Sequence, residues 1–491
     1  MIGYLFALAV LPLAGSIAAL GRGGARPAGY AAVTGAVGSL TLAILVAARV
    51  AAHGPYSGLS GFVYVDGLAA FFAVTIAVVV LLASLGSAAY LRAEEANGTL
   101  SRLQVRLYFV FFGLFAALML ASVGTGNLGM LFVLIEGGTL ASAALVGLEA
   151  KAHSLEAAWK YVIISSLGVT VALVGTLFLF YAGTRLQLTS NLRLTWPYLY
   201  QHAGELTHPS VRLAFLLAVV GYGTKVGLAP MHTWLPDAHA EAPSPASAML
   251  SAALLNTGMY AIIRFLAIAR VNLGPTYPQT VMLVFGFASV LVGVLFMVRR
   301  GNFKRLFAYS SIEHMGIIAI ALGFGGTLGM YGALLHTLNH SLGKAVLFLG
   351  SGDLVLGYRT RDAARVRGVL STLPFTGTAL LLASLAVLGS PPFGLFVSEL
   401  TILRAGFGRG WLLPVLLLIL LAVGFVAFAR TTTGMVLGEP VPDAVPPYRG
   451  RGLRLLAGLP LAVGLAALLV VGLWIPGGLN SAILHSIGVL T

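Results

Sequence analysis

Cysteine is absent from this 491-residue sequence. No disulfide, thiolate metal site or iron–sulfur cluster can be built from the chain itself. Charge is almost as scarce. Only 9% of residues are Asp, Glu, Lys or Arg, where a soluble domain carries about a quarter. Such a chain cannot cover a water-facing surface, and it reads as an all-α polytopic membrane protein. Its basic residues are scattered through short loops with no soluble basic domain. The net charge of +14 is therefore no sign of nucleic-acid binding. No nucleotide-binding motif is evident either. The first residues, MIGYLFALAVLPLAGSIAAL, lack a basic start and a clear small-residue cleavage site. They read as a first span and not as a leader.

What the sequence does hold is apolar runs of the roughly 20 residues that a bilayer crossing needs. Fourteen spans are expected, near 2–20, 28–50, 66–91, 106–122, 128–148, 157–183, 211–235, 243–270, 278–298, 303–323, 326–357, 372–404, 411–438 and 454–475. The longest interruption, 184–210, holds Trp196, Pro197 and two tyrosines and reads as a surface loop at a membrane interface. Lysine and arginine concentrate in the loops after odd-numbered spans, among them Arg22, Arg26, Arg92, Arg300, Lys304, Arg361 and Arg451. The positive-inside rule puts those loops in the cytoplasm and both termini outside.

Two spans are interrupted. The segment GTKVGLAPMHTWLPDAHAEAPSP, 223–245, carries Lys225 in an apolar stretch and Pro230 five residues later. Freed carbonyls at that break would be satisfied by water. The segment SLAVLGSPPFGLFVSELTILR, 384–404, carries Pro391 and Pro392 and then Glu399. Paired broken helices in two halves point to a transport site between structural repeats. Spans seven and twelve are five apart, an odd offset, so the repeat is expected to be inverted.

A charged side chain at mid-bilayer costs about 2.5–3.5 kcal/mol on the insertion scale. Several are spent here. Glu136 lies near the middle of span five and Lys225 in span seven. As a pair at ~4 Å they would attract by about 4 kcal/mol at an effective dielectric of 20. His336, His340 and Lys344, in LLHTLNHSLGKAVLFL, are spaced i, i+4, i+8 and share one helix face. Histidine relays protons near neutral pH. A metal would need two further ligands beyond that face, and none is evident. His314 follows Glu313 near the start of span ten, where an interfacial position is a competing reading. Glu399, in span twelve, has the same status as Glu136. Asp353 is deep in its span but outside any motif. Arg264 cannot give up its proton and is assigned a structural role as a counter-ion.

These residues come in a recognisable order. KVGLAPMHTWLPDAHAEAPSPASAMLSA, RLFAYSSIEHMG and HTLNHSLGKAVLFL resemble the antiporter-like membrane subunits of complex I and its relatives. GSPPFGLFVSEL is most similar to the hydrogenase-4 component F type. The resemblance implies two inverted five-helix repeats, 106–270 and 271–438, between a three-helix segment, 1–105, and a C-terminal helix, 439–491. It implies a proton relay through Glu136, Lys225, His314, His336, His340, Lys344 and Glu399. Where some relatives carry a lysine, this chain has Asn256, leaving Ser251 or water to cover the gap. The long lateral helix of one family branch is not expected. Partners would be other membrane subunits and a cytoplasmic redox arm in the inner membrane of a prokaryote. That arm would hold any nickel–iron centre and iron–sulfur clusters. This chain is assigned no catalytic, cofactor or metal residue. A sodium/proton antiporter subunit, a membrane subunit of inorganic-carbon uptake and a non-conducting scaffold are the alternatives.

Overall fold

Backbone polar groups have no water to bond to inside a bilayer, so each must pair within its own segment. This chain meets that demand with helices almost throughout. The computed structural model describes residues 1–21, 24–186, 192–299, 301–441 and 444–488. Arg22 and Arg300 lie outside the described residues. The helices run α1 (Ile2–Val10), α2 (Leu13–Leu20), α3 (Ala25–His53), α4 (Gly67–Ala96), α5 (Arg102–Gly124), α6 (Leu128–Val146), α7 (Ala152–Ala182), α8 (Trp196–Gln201), α9 (His208–Val226), α10 (Leu235–Glu241) and α11 (Ser244–Met249). They continue with α12 (Leu255–Leu273), α13 (Thr276–Met297), α14 (Phe303–Phe324), α15 (Gly326–Tyr358), α16 (Val369–Thr372), α17 (Pro374–Val387), α18 (Gly394–Phe407), α19 (Leu412–Val436), α20 (Arg451–Leu473) and α21 (Gly477–Ile487). The all-α expectation has one small exception. Tyr56–Gly58 and Val63–Val65 form an antiparallel hairpin between α3 and α4.

Among the described residues, ten helices are long and apolar enough to cross a membrane, or eleven counting α1 and α2 as one span bent by 47°. The expected fourteen are not reached by that measure. The shortfall falls on α9, α15 and the α17–α18 pair. α9 and α17 are stopped by breaks, and α15 carries two histidines, a lysine and an aspartate. The residues that make these spans interesting also lower their apolarity.

The first break starts earlier than Pro230. α9 ends at Val226, and Gly227 takes the left-handed conformation at φ 81°, which glycine adopts without steric cost. Protein groups take two of the carbonyls at the break and one of its N–H groups. Leu228 N donates to Gly223 O at 2.8 Å, and the Trp234 indole donates to Thr224 O at 2.8 Å. Ala229 N donates to Ser289 Oγ at 2.9 Å. The second break falls where expected, with Gly389 at φ 64° and α18 resuming at Gly394. A π-helical turn at Leu250–Leu254 joins α11 to α12 and holds Ser251.

Of the expected interfacial loop 184–210, residues 187–191 lie outside the described residues, and the described part is not a simple surface loop. Trp196 is buried and donates its indole N–H to Arg264 O at 2.9 Å. Several of the loops meet through ion pairs. Arg361 bonds Glu241 at 2.5 Å and Glu149 at 3.3 Å, and Arg305 reaches Asp237. These pairs tie together the segments that follow spans five, seven, nine and eleven.

Candidate proton path

α6, α7 and α9 build the first half of the site. Glu136 and Thr139 are i, i+3 on α6, and Tyr161 and Ser165 are i, i+4 on α7, so each pair projects from one face. α9 lies close to α7. Gly221 leaves no room for a Cβ, which would strike Ala172, a small-residue crossing of the kind that lets membrane helices approach. Lys225, near the end of α9, is fully buried. Its ammonium donates to Thr139 Oγ1 at 2.6 Å, Tyr161 OH at 2.7 Å and Ser165 Oγ at 3.1 Å. It also sits 4.6 Å over the Tyr161 ring, whose face attracts a cation.

This corrects the expected Glu136–Lys225 ion pair. No Lys225–Glu136 contact falls within 4.0 Å. A hydroxyl stands between them. Thr139 Oγ1 accepts from the lysine and lies 3.3 Å from Glu136 Oε2, while Ser166 Oγ donates to Glu136 Oε1. The two charges are coupled through a threonine, so the ~4 Å arithmetic overstates their direct attraction. Glu136 itself is only half-buried and reaches the flank of the chain.

α14, α15 and α18 build the second half. His314 and Glu313 lie mid-way along α14 and are buried, not interfacial. His314 Nδ1 is 3.0 Å from His336 Nε2 on α15, and His336 Nδ1 is 2.9 Å from Ser398 Oγ on α18. The His314 and His340 ring centres are 5.3 Å apart. Neither ring nitrogen of His340 has a hydrogen-bond partner among the described residues, nor does His314 Nε2. Lys344 completes the face, donating to Ser310 Oγ at 2.6 Å and Phe307 O at 3.2 Å. Glu399 turns back toward the second break. A Cβ on Gly389 would collide with its Oε2, so the glycine both permits the break and makes room for the acid. His314, His336 and Glu399 bring donor atoms within 4.8 Å of one another, the convergence that spacing along α15 alone could not display. Two imidazoles and a carboxylate suit a divalent transition ion chemically, but the imidazoles are already bonded to each other.

Between the halves stand hydroxyls and an amide. Ser251 Oγ is 2.7 Å from Ser311 Oγ. Asn256 Nδ2 donates to Ser341 Oγ at 2.7 Å and to Ala252 O at 2.8 Å. Asn256 thus binds α12 to α15 with an uncharged group. Arg264 lies apart from the relay. Its Nη1 and Nη2 hold Asp66 at 2.6 and 2.8 Å, its Nη2 also reaches Tyr260 OH at 2.9 Å, and Trp196 covers it at 4.3 Å. Asp353 is also apart, accepting from Thr376 and Tyr448 at 2.7 Å each.

Residues 125–425 match the family described as NADH:quinone oxidoreductase/Mrp antiporter, transmembrane. The chain belongs to this family. It is 39% identical over 386 residues to a hydrogenase-4 component F homolog of Methylacidiphilum infernorum, covering 78% of this chain and 81% of that one. It is 32% identical to NADH-quinone oxidoreductase subunit N of Desulforudis audaxviator, over 74% and 72% of the two chains. Hydrogenase-4 component B of Escherichia coli is 31% identical, and only 49% of its length is covered. Among solved structures, a subunit of the membrane-bound sulfane sulfur reductase, an archaeal respiratory membrane complex, superposes with a TM-score of 0.82 at 25% identity over 99% of this chain and 100% of that one. A chain of the Mrp complex from Dietzia superposes at 0.83 and 22% identity, over 100% and 98%, a likeness of fold alone. The antiporter-like reading of the sequence is thereby upheld. The family member described here is a multi-span membrane protein.

Several neighbours of the path were missed in the sequence. Thr139 was within reach of pattern reading, three residues after Glu136 on the same face. Tyr161 and Ser165 had no signal until α7 was packed on α9. Glu313 was visible beside His314, and its burial mid-way along α14 sets aside the competing interfacial reading. Asp66 had a signal of its own, a helix N-cap just before an apolar run, and it does accept from Ala69 N at 2.9 Å.

Proposed function

We propose that this chain moves protons across the membrane as a subunit of a redox-driven complex of the membrane-bound hydrogenase type. The observation that carries this is Lys225. A fully buried ammonium hydrogen-bonded to hydroxyls and to no carboxylate among the described residues, one of the hydroxyls shared with Glu136, is a poor structural fixture and a good proton carrier. Burial makes its charged form costly, so small changes around Glu136 change how tightly the proton is held. The relay then runs from Glu136 and Lys225, past Ser251 and Asn256, to His314, His336, His340 and Lys344, and ends at Glu399. The ring nitrogens of His340 and Nε2 of His314 make no tight hydrogen bond among the described residues, and these rings have only longer approaches to the backbone at Ser251 and Val387, so they are available to it. Glu313, buried on the same α14 face as Ser310, joins it as the acid nearest in kind to Glu136.

The frame for this path is two inverted repeats, 106–270 and 271–438, flanked by 1–105 and 439–491. The breaks after α9 and α17 support that division. Counting α9–α10, α15 and α17–α18 as spans alongside the eleven brings the total to fourteen. Basic loops joined by ion pairs support an orientation with those loops in the cytoplasm and both termini outside. Electron transfer belongs to partner subunits, as does any nickel–iron or iron–sulfur centre.

Lys225→Ala in the assembled complex tests the reading. Partner subunits should still co-purify, while acidification of reconstituted vesicles should fall to background. A normal pH gradient from the variant overturns the assignment. Gradient formation that collapses only with a sodium ionophore would transfer the chain to cation exchange.

A further inference from the structure

A cavity of about 1140 Å³ opens between the start of α3, the end of α4, the α16–α17 corner and the first turns of α20. It has no part in the path described above. One end is strongly basic, lined by Arg26, Arg92, Arg451 and Arg454. None of these four has a carboxylate within 4.0 Å among the described residues. Their existing bonds leave most of each guanidinium free. Arg92 donates to Arg26 O at 3.3 Å and lies 4.4 Å over the Tyr30 ring, yet its buried Nε has no partner. Arg454 donates to Tyr448 O at 3.3 Å. The one acid in the lining, Asp353, has each oxygen occupied, Oδ1 by Tyr448 and Oδ2 by Thr376. The first backbone N–H groups of α20 open at the same end, with Gly450 supplying no side-chain cap. Such helix ends favour anions.

The other end is apolar. Phe375, Leu455 and Leu459 line it and remain largely exposed. A soluble anion would use the arginines and leave that wall bare. An amphipathic anion uses both. The basic end belongs to the loops after odd-numbered spans, hence to the cytoplasmic leaflet in the proposed orientation, where anionic lipids gather and basic pockets between helices take their headgroups.

We propose that this cavity holds an anionic diacyl phospholipid, its phosphate among Arg26, Arg92 and Arg451 and an acyl chain along Phe375 and Leu459. The lipid closes the seam between the N-terminal helices α3 and α4 and the helix α20. The proposal is independent of the proton path and depends on the orientation only for which leaflet supplies the lipid.

The test uses the whole complex purified in mild detergent, followed by native mass spectrometry of the subunit and of its bound lipids. Wild type should retain a phosphatidylglycerol-type lipid. Arg26→Gln/Arg92→Gln/Arg451→Gln should hold it about a hundredfold more weakly, at roughly fivefold for each of the three charges removed. The triple Lys variant should keep it, which separates charge from misfolding. In nanodiscs of mixed phosphatidylglycerol and phosphatidylcholine, wild type should enrich the former, and added inorganic phosphate should not displace it. Equal retention by wild type and the Gln variant refutes the site. So does equal enrichment of phosphatidylcholine. Displacement by inorganic phosphate would make the site one for free anions. Loss of a partner subunit with unchanged lipid would make this face a protein contact. Should the Gln variant fail to assemble, the nanodisc comparison on wild type decides alone.

Discussion

Replacing Thr139 by Val removes a single hydroxyl from the middle of the first half-site and leaves every charged residue in place. The side chain is buried and nearly the same size, so the change is chemical and not steric. Three interactions go: the 2.6 Å bond from the Lys225 ammonium, the 3.3 Å link to Glu136 and the 3.1 Å bond to the Ile135 carbonyl within the same helix. A hydrogen bond to a charged group contributes about 1.5–3 kcal/mol. Tyr161 and Ser165 still hold the ammonium, so the fold should survive. The loss falls on the charged form of Lys225 and on its communication with Glu136. At about 1.4 kcal/mol per tenfold, proton transfer through this station should slow roughly 10- to 100-fold. The assay is a simultaneous reading of vesicle acidification and partner electron transfer in the reconstituted complex. Thr139→Ser keeps the hydroxyl and should keep most of the pumping. Wild-type acidification in Thr139→Val would refute the bridge. An equal defect in Thr139→Ser would reduce Thr139 to a packing role.

Glu399→Gln should stall both pumping and coupled turnover, while Glu399→Lys retains part, because a lysine still carries a proton; full acidification by the Gln variant would move the end of the path elsewhere, with Asp353 next to test. Arg264→Met should cost about 3–5 kcal/mol of stability, the penalty of stranding the buried Asp66 carboxylate, read as a lower thermal-unfolding midpoint and poorer yield. Adding Asp66→Asn, which removes the charge and keeps the cap on Ala69 N, should restore most of the loss, and failure of the double variant to recover would mean that the pair does more than neutralise itself.

Most of the frame was legible because a bilayer leaves the backbone little choice. Long apolar runs become helices, and both breaks announce themselves through Gly and Pro clusters. Helical spacing put His336, His340 and Lys344 on one face, and an apolar run beside a break singled out Lys225. The errors share a cause. The sequence shows which residues are charged but not what lies between them. Glu136 and Lys225 read as partners because two opposite charges in an apolar setting ought to meet. Thr139, which stands between them, looks like any small polar residue of a membrane helix. The first break was likewise assigned to its most conspicuous residue, Pro230, although the backbone turns at Gly227 and Trp234 then takes a carbonyl that water was expected to satisfy. Convergence of His314 and Glu399 on His336 joins three helices, and no one-dimensional pattern records it.

The contrast between the two buried cations explains why the hydroxyl bridge matters. Arg264 meets Asp66 directly, through two parallel bonds at 2.6 and 2.8 Å. Arginine does not release its proton, so such a pair has one state and serves as an anchor between α4 and α12. Lys225 in the same arrangement would be locked as an ammonium, since losing the proton would strand a bare carboxylate. Thr139, Tyr161 and Ser165 impose no such penalty. A hydroxyl accepts a bond from an ammonium and, by rotating, donates one to a neutral amine. Both protonation states of Lys225 are therefore satisfied by the same three groups, and the energy difference between them is left to Glu136, one threonine away. A relay station needs two states of similar energy and a neighbour able to tip them. In the proposed relay, hydroxyls around the lysine serve the first condition by satisfying both states, and the displaced glutamate serves the second.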